Sequence, residues 1–395
     1  MAAHSLGSHA LPLTLARAAA WSLLLGGWLG MGSFALVLAP SRLAAFALVA
    51  LWLLVLGLAA AVATRDGLRA WVRRAGLLVC AAIAVVALAW STRGGAMTAL
   101  VTAVIAWGVL TALASGVVRS LRLARPWRPG PPIGAASLGA LCAGLAIGDP
   151  GDLQALALRL STLVMLVSAG LAVLQPADAA SQPPRRCRAG LFDCSLPAWP
   201  KGAWRDLRQW PALLAGLAML PMMAALPLLA AWCRTQALAP QLMVALHLGA
   251  MFVPALVLRH SIASWSTRRL STMCALCLGA GAAVAVWAPA PLDLTGVALA
   301  HGAAWGLAWA GQLWAPDRRA GQGASSLRAA IGYAALTIAF GVLVDRYGVR
   351  GVTGAHAALG LAAILAWGFG AMRGAWVRSH RDAGVELPAR RVGPR

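Results

Sequence analysis

Long apolar runs, separated by short polar segments, follow one another along almost the whole chain. Each run is close to the ~20 residues that a helix needs to cross the hydrocarbon core of a bilayer. The predicted spans are residues 15–40, 42–63, 75–92, 97–118, 131–148, 153–174, 210–233, 241–260, 270–289, 292–315, 325–344 and 352–372. The pattern therefore predicts an all-α polytopic membrane protein with twelve transmembrane helices.

A polar interruption divides the predicted spans into two groups of six. We expect an N-terminal six-helix bundle over residues 1–174 and a cytoplasmic linker over 175–209. Residues 210–395 then form a C-terminal six-helix bundle with a basic cytoplasmic tail. This plan resembles the major facilitator superfamily, whose halves rock about a site at the midplane. Residues 338–351, IAFGVLVDRYGVRG, also resemble the Gly-x-Leu-x-Asp-Arg-x-Gly turns of that superfamily and would connect the last two helices.

Composition and charge agree with a membrane location. The chain is 61% hydrophobic and 11% charged, with a mean hydropathy of +0.76. Its net charge of +22 would suit nucleic acid on one soluble surface, but here the basic residues sit in short loops between apolar runs. Their alternation between loops predicts that both termini are cytoplasmic. The outward loops hold only Arg42, Arg93, Arg234, Arg346 and Arg350.

Charged side chains are scarce inside the predicted spans. All 11 acidic residues fall outside the spans or at their edges, which argues against a proton relay built from carboxylates and against an exporter of cationic drugs. Arg159, in the sixth span, has two interpretations. Its side chain either extends to the membrane interface or belongs to an anion or gating site.

Two pairs of soft ligands stand out in the seventh and eighth spans. Met219 and Met223 are four positions apart, as are His247 and Met251, so each pair shares a helix face. Thioethers and imidazole favour Cu(I) over Zn(II), Mg(II) or Ca(II). Methionine also fills irregular helix contacts, but a histidine in the membrane usually needs a partner or a function. Both pairs together predict a metal site.

The spacing of these two pairs resembles the Met-x-x-x-Met and His-x-x-x-Met motifs of the CcoA-type copper importers, which are major facilitator proteins. This resemblance implies import of copper into the bacterial cytoplasm for assembly of the cbb3-type cytochrome c oxidase. It assigns copper binding to Met219, Met223, His247 and Met251. The cargo would be a copper ion, favoured as Cu(I), or a small copper chelate, passed on to a cytoplasmic copper acceptor.

The depths of the four side chains leave the form of the site open. Counting ~1.5 Å per residue from the outer helix ends places Met223 and Met251 roughly 15 Å deep, His247 roughly 9 Å and Met219 roughly 21 Å. The four residues form either one site or a ladder, with Met223 and Met251 as the central pair. Pro221 and Pro227 are expected to kink the seventh helix.

Three cysteines are candidate auxiliary thiols. Cys233 lies at the outer end of the seventh span, and Cys274 and Cys277 form a single Cys-x-x-Cys near the cytoplasmic face. That pair either packs between helices or takes part in copper release. His301 and His356 are expected to be packing or helix-end groups. The segment 301–314, HGAAWGLAWAGQLW, is expected to allow close helix contact.

Two rival functions remain beside copper import. One is a carrier of an organic solute or metallophore, whose methionines line an apolar cavity. The other is a membrane assembly factor that transports nothing. The sequence predicts neither an enzyme nor a bound cofactor, and it predicts the lipid bilayer rather than nucleic acid as the surrounding partner.

Overall fold

A computed structural model of the chain describes residues 7–63, 69–94, 97–124, 132–147, 152–175, 207–235, 240–314 and 326–382. These residues are almost entirely helical. The helices are α1 Gly7–Gly26, α2 Gly32–Leu38, α3 Arg42–Ala63, α4 Ala70–Ser91, α5 Met97–Ala124, α6 Pro132–Ile147, α7 Leu153–Leu174, α8 Trp210–Thr235, α9 Pro240–Val257, α10 Arg259–Ser264, α11 Thr267–Trp287, α12 Leu292–Trp314, α13 Ser326–Tyr347 and α14 Val349–Asp382. A π-helical segment, Gly27–Met31, joins α1 to α2.

The helices confirm the predicted fold class. The bounds of α3 and α7 coincide with the predicted spans, and the other spans are shifted or extended at their ends. Within the described residues, eight helices are long and apolar enough to cross a membrane, and the bent helix α8 would be a ninth. Helices α6 and α9 contain shorter apolar stretches, and α12 adds a helix of 23 residues, so the whole is consistent with twelve spans. Apart from Gln175 and residues 207–209, the predicted linker lies outside the described residues.

Helices differ strongly in how much of their surface other helices cover. The span Leu11–Leu38 is 83% buried, whereas Ala70–Ser91 and Val349–Arg373 are each 28% buried. The exposed faces of α4 and α14 are apolar, as a lipid-facing helix requires. The first span therefore runs through the centre of the bundle, and α4 and α14 lie at its periphery.

Glycines allow the first span to approach its neighbours closely. A Cβ atom on Gly27 would lie 2.9 Å from the rings of Trp107 and Trp52, and one on Gly30 would lie 2.6 Å from Leu160. The π-helical segment contains both of these glycines. Such segments are frequent at functional sites, and this one positions Trp28 and Met31 in the core.

Helices α1 and α2 together cross the bundle once, and short connections such as residues 39–41 and 288–291 reverse the direction of the chain. We call the face that holds Gly7 and Asp382 the terminal face, and the other the opposite face. At the opposite face, α3 begins and α13 ends. There the backbone N–H of Leu43 donates to Asp345 Oδ1 at 3.4 Å, and the rings of Phe46 and Phe340 lie 6.2 Å apart.

The segment 338–351 connects α13 to α14, as its sequence predicts. The chain turns at Gly348, which has a φ of +59°, a conformation that glycine adopts without the steric cost of a Cβ atom. The amide of Gly348 donates to the carbonyl of Val344 at 2.8 Å. Asp345 thereby comes to face the first turn of α3, so this turn joins the two halves.

Candidate metal site

The four predicted copper ligands all lie in the interior of the C-terminal helices. Met219 and Met251 are each 1% exposed, and Met223 and His247 are fully buried. All three methionines belong to one continuous apolar core. Among the residues whose positions are described, no group of three or more His, Cys, Asp or Glu side chains could hold a metal ion. A metal site here therefore depends on the thioethers.

His247 is fixed in a way that suits a metal ligand. Its Nδ1 lies 2.8 Å from the carbonyl oxygen of Ala298, and a carbonyl can only accept, so Nδ1 carries the proton and donates. The other ring nitrogen, Nε2, is buried and has no hydrogen-bond partner. In the neutral ring, Nε2 then holds a free lone pair. Metal-binding histidines usually donate their other N–H to a carbonyl or carboxylate in this manner.

Two glycines of α12 hold the backbone of α9 at the ligand positions. A Cβ atom on Gly302 would lie 2.9 Å from the carbonyl oxygen of His247, and one on Gly306 would clash with that of Met251. The two glycines are four positions apart, as are His247 and Met251. This confirms the close helix contact predicted for residues 301–314 and fixes the spacing of the two ligands along α9.

Met243 extends the line of ligands on α9. It lies four positions before His247 and is buried, 2% exposed. Residues at i, i+4 and i+8 share one face of a helix. The four-residue spacing of Met243 from His247 is visible in the sequence, but the predicted ligand set did not include Met243.

Helix α8, which carries the methionine pair, is bent by 59° between Trp210–Leu217 and Met222–Trp232. The bend brackets Pro221, in agreement with the predicted kink, because proline removes a backbone hydrogen bond inside a helix. Met219 lies within the break between the two straight pieces, and Met223 lies in the second piece. The bend therefore changes the direction in which the two thioethers project relative to a straight helix.

The candidate thiols differ in their surroundings. Cys274 is fully buried, and its Sγ donates to the carbonyl oxygen of Ala304 at 3.4 Å, so it packs α11 against α12. Cys277 is half-buried. Cys233 belongs to α8, but its side chain lies outside the described residues.

Arg159 is exposed on α7, which supports the interpretation that its side chain extends to the membrane interface.

His301 and His356 form a buried pair, which the sequence did not predict. Nδ1 of His301 lies 2.6 Å from Nε2 of His356, and the ring centroids are 4.7 Å apart. The outer nitrogens of the pair face carbonyl oxygens. His301 Nε2 lies 3.2 Å from the carbonyl oxygen of Ala215, and His356 Nδ1 lies 2.9 Å from that of Val352. The pair thus joins α8, α12 and α14. His301 and His356 are 55 positions apart, so no local sequence pattern relates them.

Four aromatic side chains form a cluster between the two halves. Trp21 of α1 lies edge-on to Phe252 of α9 and to Trp305 and Trp309 of α12, with centroid distances of 5.7, 6.4 and 5.3 Å. Trp305 and Trp309 stack at 5.4 Å. Because Phe252 follows Met251 directly, this aromatic cluster lies between the candidate ligands and the terminal face.

The N-terminal helices bury two indole donors without partners. The rings of Trp28 and Trp52 lie 5.5 Å apart, and neither Nε1 has a hydrogen-bond partner. By contrast, Nε1 of Trp107 donates to the carbonyl oxygen of Leu23 at 2.8 Å. Buried donors without partners are uncommon and call for an explanation.

Comparison with known proteins adds to the geometry. No protein family model matches the chain, and no curated protein sequence matches it. Solved structures do match over 92% of the chain. One is a point mutant of the nucleoside transporter NupG, with a TM-score of 0.61, 15% identity and 99% of its length covered. Another is a bacterial homologue of the iron transporter ferroportin, in the outward-facing state with soaked iron, with a TM-score of 0.53, 16% identity and 99% covered.

These matches extend over both groups of helices, so they concern the whole architecture rather than one bundle. Both structures are transporters. At 15% and 16% identity, the likeness establishes the fold. The chain is a multi-pass membrane protein with the fold of the major facilitator transporters.

Proposed function

We propose that this protein is an inner-membrane carrier that imports copper, as Cu(I) or a small copper chelate, by alternating access. Its cytoplasmic product would supply assembly of the cbb3-type cytochrome c oxidase. The observation that carries the proposal is the buried, unpartnered Nε2 of His247, whose ring is oriented by Ala298. A buried lone pair with no donor in reach is costly unless a ligand uses it.

The chemistry of the other ligands defines the cargo. Met219, Met223 and Met251 are neutral and cannot be protonated at physiological pH, so they bring no charge to compensate a divalent ion. A monovalent soft ion therefore loses least on entering this interior, whereas Zn(II) would bring two uncompensated charges. The absence of a thiolate from the proposed set also favours release, which a carrier requires.

Contacts with α12 favour Met219 and His247 as the central pair. On α12, Ala298 contacts His247 and His301 contacts Ala215. Ala298 and His301 are three positions apart, which is ~4.5 Å along the helix. Met219 lies four positions beyond Ala215, at most ~6 Å along α8 because the bend of that helix begins between them. Because α8 and α12 run in opposite directions, Met219 returns to about the level of Ala298 and hence of His247.

The other ligands then extend the site along the axis. Met223 lies one turn toward the opposite face, and Met251 lies one turn toward the terminal face. This order supports a ladder of soft ligands across the bundle. It makes Met219 and His247 the central pair, whereas a count of depth from the outer helix ends selects Met223 and Met251.

The surroundings suit a carrier with the site closed at both ends. Toward the terminal face lies the aromatic cluster, whose Phe252 directly follows Met251, and toward the opposite face α3 packs on α13 at Asp345 and Phe340. Opening either end requires the halves to separate there. The same fold also serves a transition-metal ion, since one structural neighbour is a homologue of an iron transporter.

The test is Cu(I) binding and uptake by the purified full chain. We expect Met219→Leu and His247→Gln each to weaken binding ~10-fold or more, as loss of metal-site groups does, and to reduce uptake into proteoliposomes in proportion. Met222→Leu is the matched control, because Met222 is equally buried beside Met223 but lies outside the motif. Equal binding by all three variants and the unmodified chain would refute the metal site.

A second candidate is a carrier of an organic solute or metallophore, and the unpartnered indole donors of Trp28 and Trp52 favour it. Two adjacent N–H donors suit a solute that carries carbonyl or phenolate oxygens, which a bare metal ion lacks. A structural neighbour of the same fold transports nucleosides. Uptake that requires an organic chelator together with copper would favour this candidate.

A further inference from the structure

The His301–His356 pair contains three polar contacts in series. They run from the Ala215 carbonyl to His301, from His301 to His356, and from His356 to the Val352 carbonyl. Each contact is a hydrogen bond only if one proton lies in it, because carbonyl oxygens accept and cannot donate. Three contacts therefore need three protons. Two neutral imidazoles carry two.

The distances indicate which contact lacks a proton in the neutral pair. Two lone pairs would repel at the 2.6 Å between the rings, so a proton lies between His301 Nδ1 and His356 Nε2. The Val352 contact, at 2.9 Å, has ordinary hydrogen-bond length. The Ala215 contact is the longest, at 3.2 Å. In the neutral pair, His301 Nε2 and the Ala215 oxygen therefore face each other as two acceptors.

One additional proton completes the series. With His301 as an imidazolium, Nε2 donates to Ala215, Nδ1 donates to His356, and His356 donates to Val352. Each of the three contacts then holds one proton, and the buried charge is met by hydrogen bonds and carbonyl dipoles. His301 and His356 are 1% and 5% exposed, so the proton would be held away from water.

Charged groups near the pair are few. Among described side chains, the titratable or charged residues on these helices and on those packed against them are His247, Arg268, Arg269, Cys274, Cys277, Asp293, Tyr333, Asp345, Arg346, Tyr347, Arg350 and Arg373. The carboxylates lie at helix ends. Asp293 is eight positions before His301, ~12 Å along α12. The buried members of this set are His247, Cys274 and Tyr333, and His247 reaches α12 through its bond to Ala298.

We propose that His301 and His356 together form a single-proton binding site that joins α12 to α8, the helix carrying Met219 and Met223. Proton binding makes the Ala215 contact a hydrogen bond, and proton loss makes it repulsive. The position of α8 relative to α12 thus depends on the proton. If the protein is the carrier proposed above, this proton is its coupling ion, in a membrane interior without a carboxylate relay among the described residues.

The direct test needs no transport. The full chain is labelled with nitrogen-15 histidine, placed in nanodiscs and titrated by NMR between about pH 5 and pH 9, with His301→Gln and His356→Gln used to assign the pair. We expect the pair to take up one proton per chain and each Gln variant to abolish that uptake. Gly354→Ala is the matched control on α14, because a Cβ atom there meets open space. It should titrate like the unmodified chain.

A pair that keeps the same protonation over the whole range would overturn the proton site. This result comes from the unmodified chain alone, so a variant that fails to fold does not prevent the decision. An uptake of two protons would also overturn it, because the series accommodates one.

The transport arm separates the coupling role from the proposed function. In proteoliposomes, the His356→Gln variant should keep exchange of radioactive copper between the two sides and lose the stimulation by an imposed pH gradient. Equal stimulation of the variant and the unmodified chain would exclude the pair as the coupling site. An unmodified chain that moves no copper would refute the proposed function, while the NMR titration would still decide the proton site.

Discussion

The two halves of this protein bury different kinds of side chain. Within the described residues, the buried polar groups of the N-terminal helices are Arg17, Gln175, serines and one threonine, whereas those of the C-terminal helices include His247, His301 and His356. The three proposed methionine ligands are also in the C-terminal helices. The N-terminal half contributes indole rings, at Trp21, Trp28 and Trp52. The proposed ion-binding side chains thus belong to one half, while both halves supply the aromatic rings that meet between them.

This difference bears on how alternating access can work. If the protein is the carrier proposed above and its ligands are confined to α8 and α9, the cargo stays with the C-terminal half during the whole cycle. The N-terminal half then moves past it and opens one face at a time. The following predictions would break or sharpen this division of roles.

The largest effect is expected where α12 touches α9. Gly302→Ala and Gly306→Ala would each force the helices apart, because the new Cβ atom meets the backbone at His247 or Met251. We expect each to lower the free energy of unfolding by about 1–3 kcal/mol and to abolish Cu(I) binding. Thermal unfolding in detergent and a Cu(I) competition assay would measure this.

The control for this experiment is Gly249→Ala on α9, where a Cβ atom meets open space. It should retain Cu(I) binding and unfold no more easily than the unmodified chain, since alanine favours helix over glycine. If Gly306→Ala bound copper normally, the spacing of His247 and Met251 would not matter, and the ladder on α9 would be wrong.

Selectivity should give the next largest effect. Ag(I) at about 100 times its dissociation constant should stabilise the chain by about 2.7 kcal/mol, because it is a soft monovalent ion like Cu(I). Zn(II) at the same concentration should give no shift, since no carboxylate or thiolate of the proposed set compensates its charge. The measurement is thermal unfolding with each ion. Equal stabilisation by both ions would mean that the four residues are not the selective site.

A smaller effect is expected in the N-terminal half. Trp28→Phe and Trp52→Phe remove a buried donor that has no partner, so the folded protein should lose little stability and Cu(I) uptake should stay within ~2-fold. Uptake assays on both variants test this. Loss of uptake would assign the cargo an oxygen-bearing organic part and favour the metallophore carrier.

The smallest effect is expected for Cys274→Ser combined with Cys277→Ser. A serine at 274 can still donate to the carbonyl of Ala304, as the thiol does, so packing of α11 on α12 should persist. We expect copper uptake within ~2-fold of the unmodified chain. Abolished uptake by a well-folded double variant would instead indicate a thiol step in copper release.

The sequence predicted the helices well because each must satisfy its own backbone within a bilayer. Span length and hydropathy are local properties, so α3 and α7 could be placed to the residue. The turn at Gly348 was also predicted, because its motif at residues 338–351 is a local sequence pattern. The predicted burial of Met219, Met223, His247 and Met251 follows from their positions inside long apolar runs, and the structure confirms it.

What could not be predicted from the sequence are contacts between distant helices. Nothing local relates His301 to His356 or Trp21 to Phe252, since each pair forms only when α1, α9, α12 and α14 have packed. The free lone pair on His247 likewise depends on Ala298, 51 positions later. The level of Met219 relative to His247 required the antiparallel packing of α8 on α12.

The aromatic cluster has a consequence for the speed of the cycle. Trp21 must leave Phe252, Trp305 and Trp309 before the terminal face can open, and each aromatic pair contributes about 0.5–1.5 kcal/mol beyond its buried area. If all of this energy is lost on opening, three pairs together raise the barrier by about 1.5–4.5 kcal/mol, which slows opening roughly 10- to 2,000-fold. If the protein is the carrier proposed above, the parting of these rings would be a slow step of its cycle.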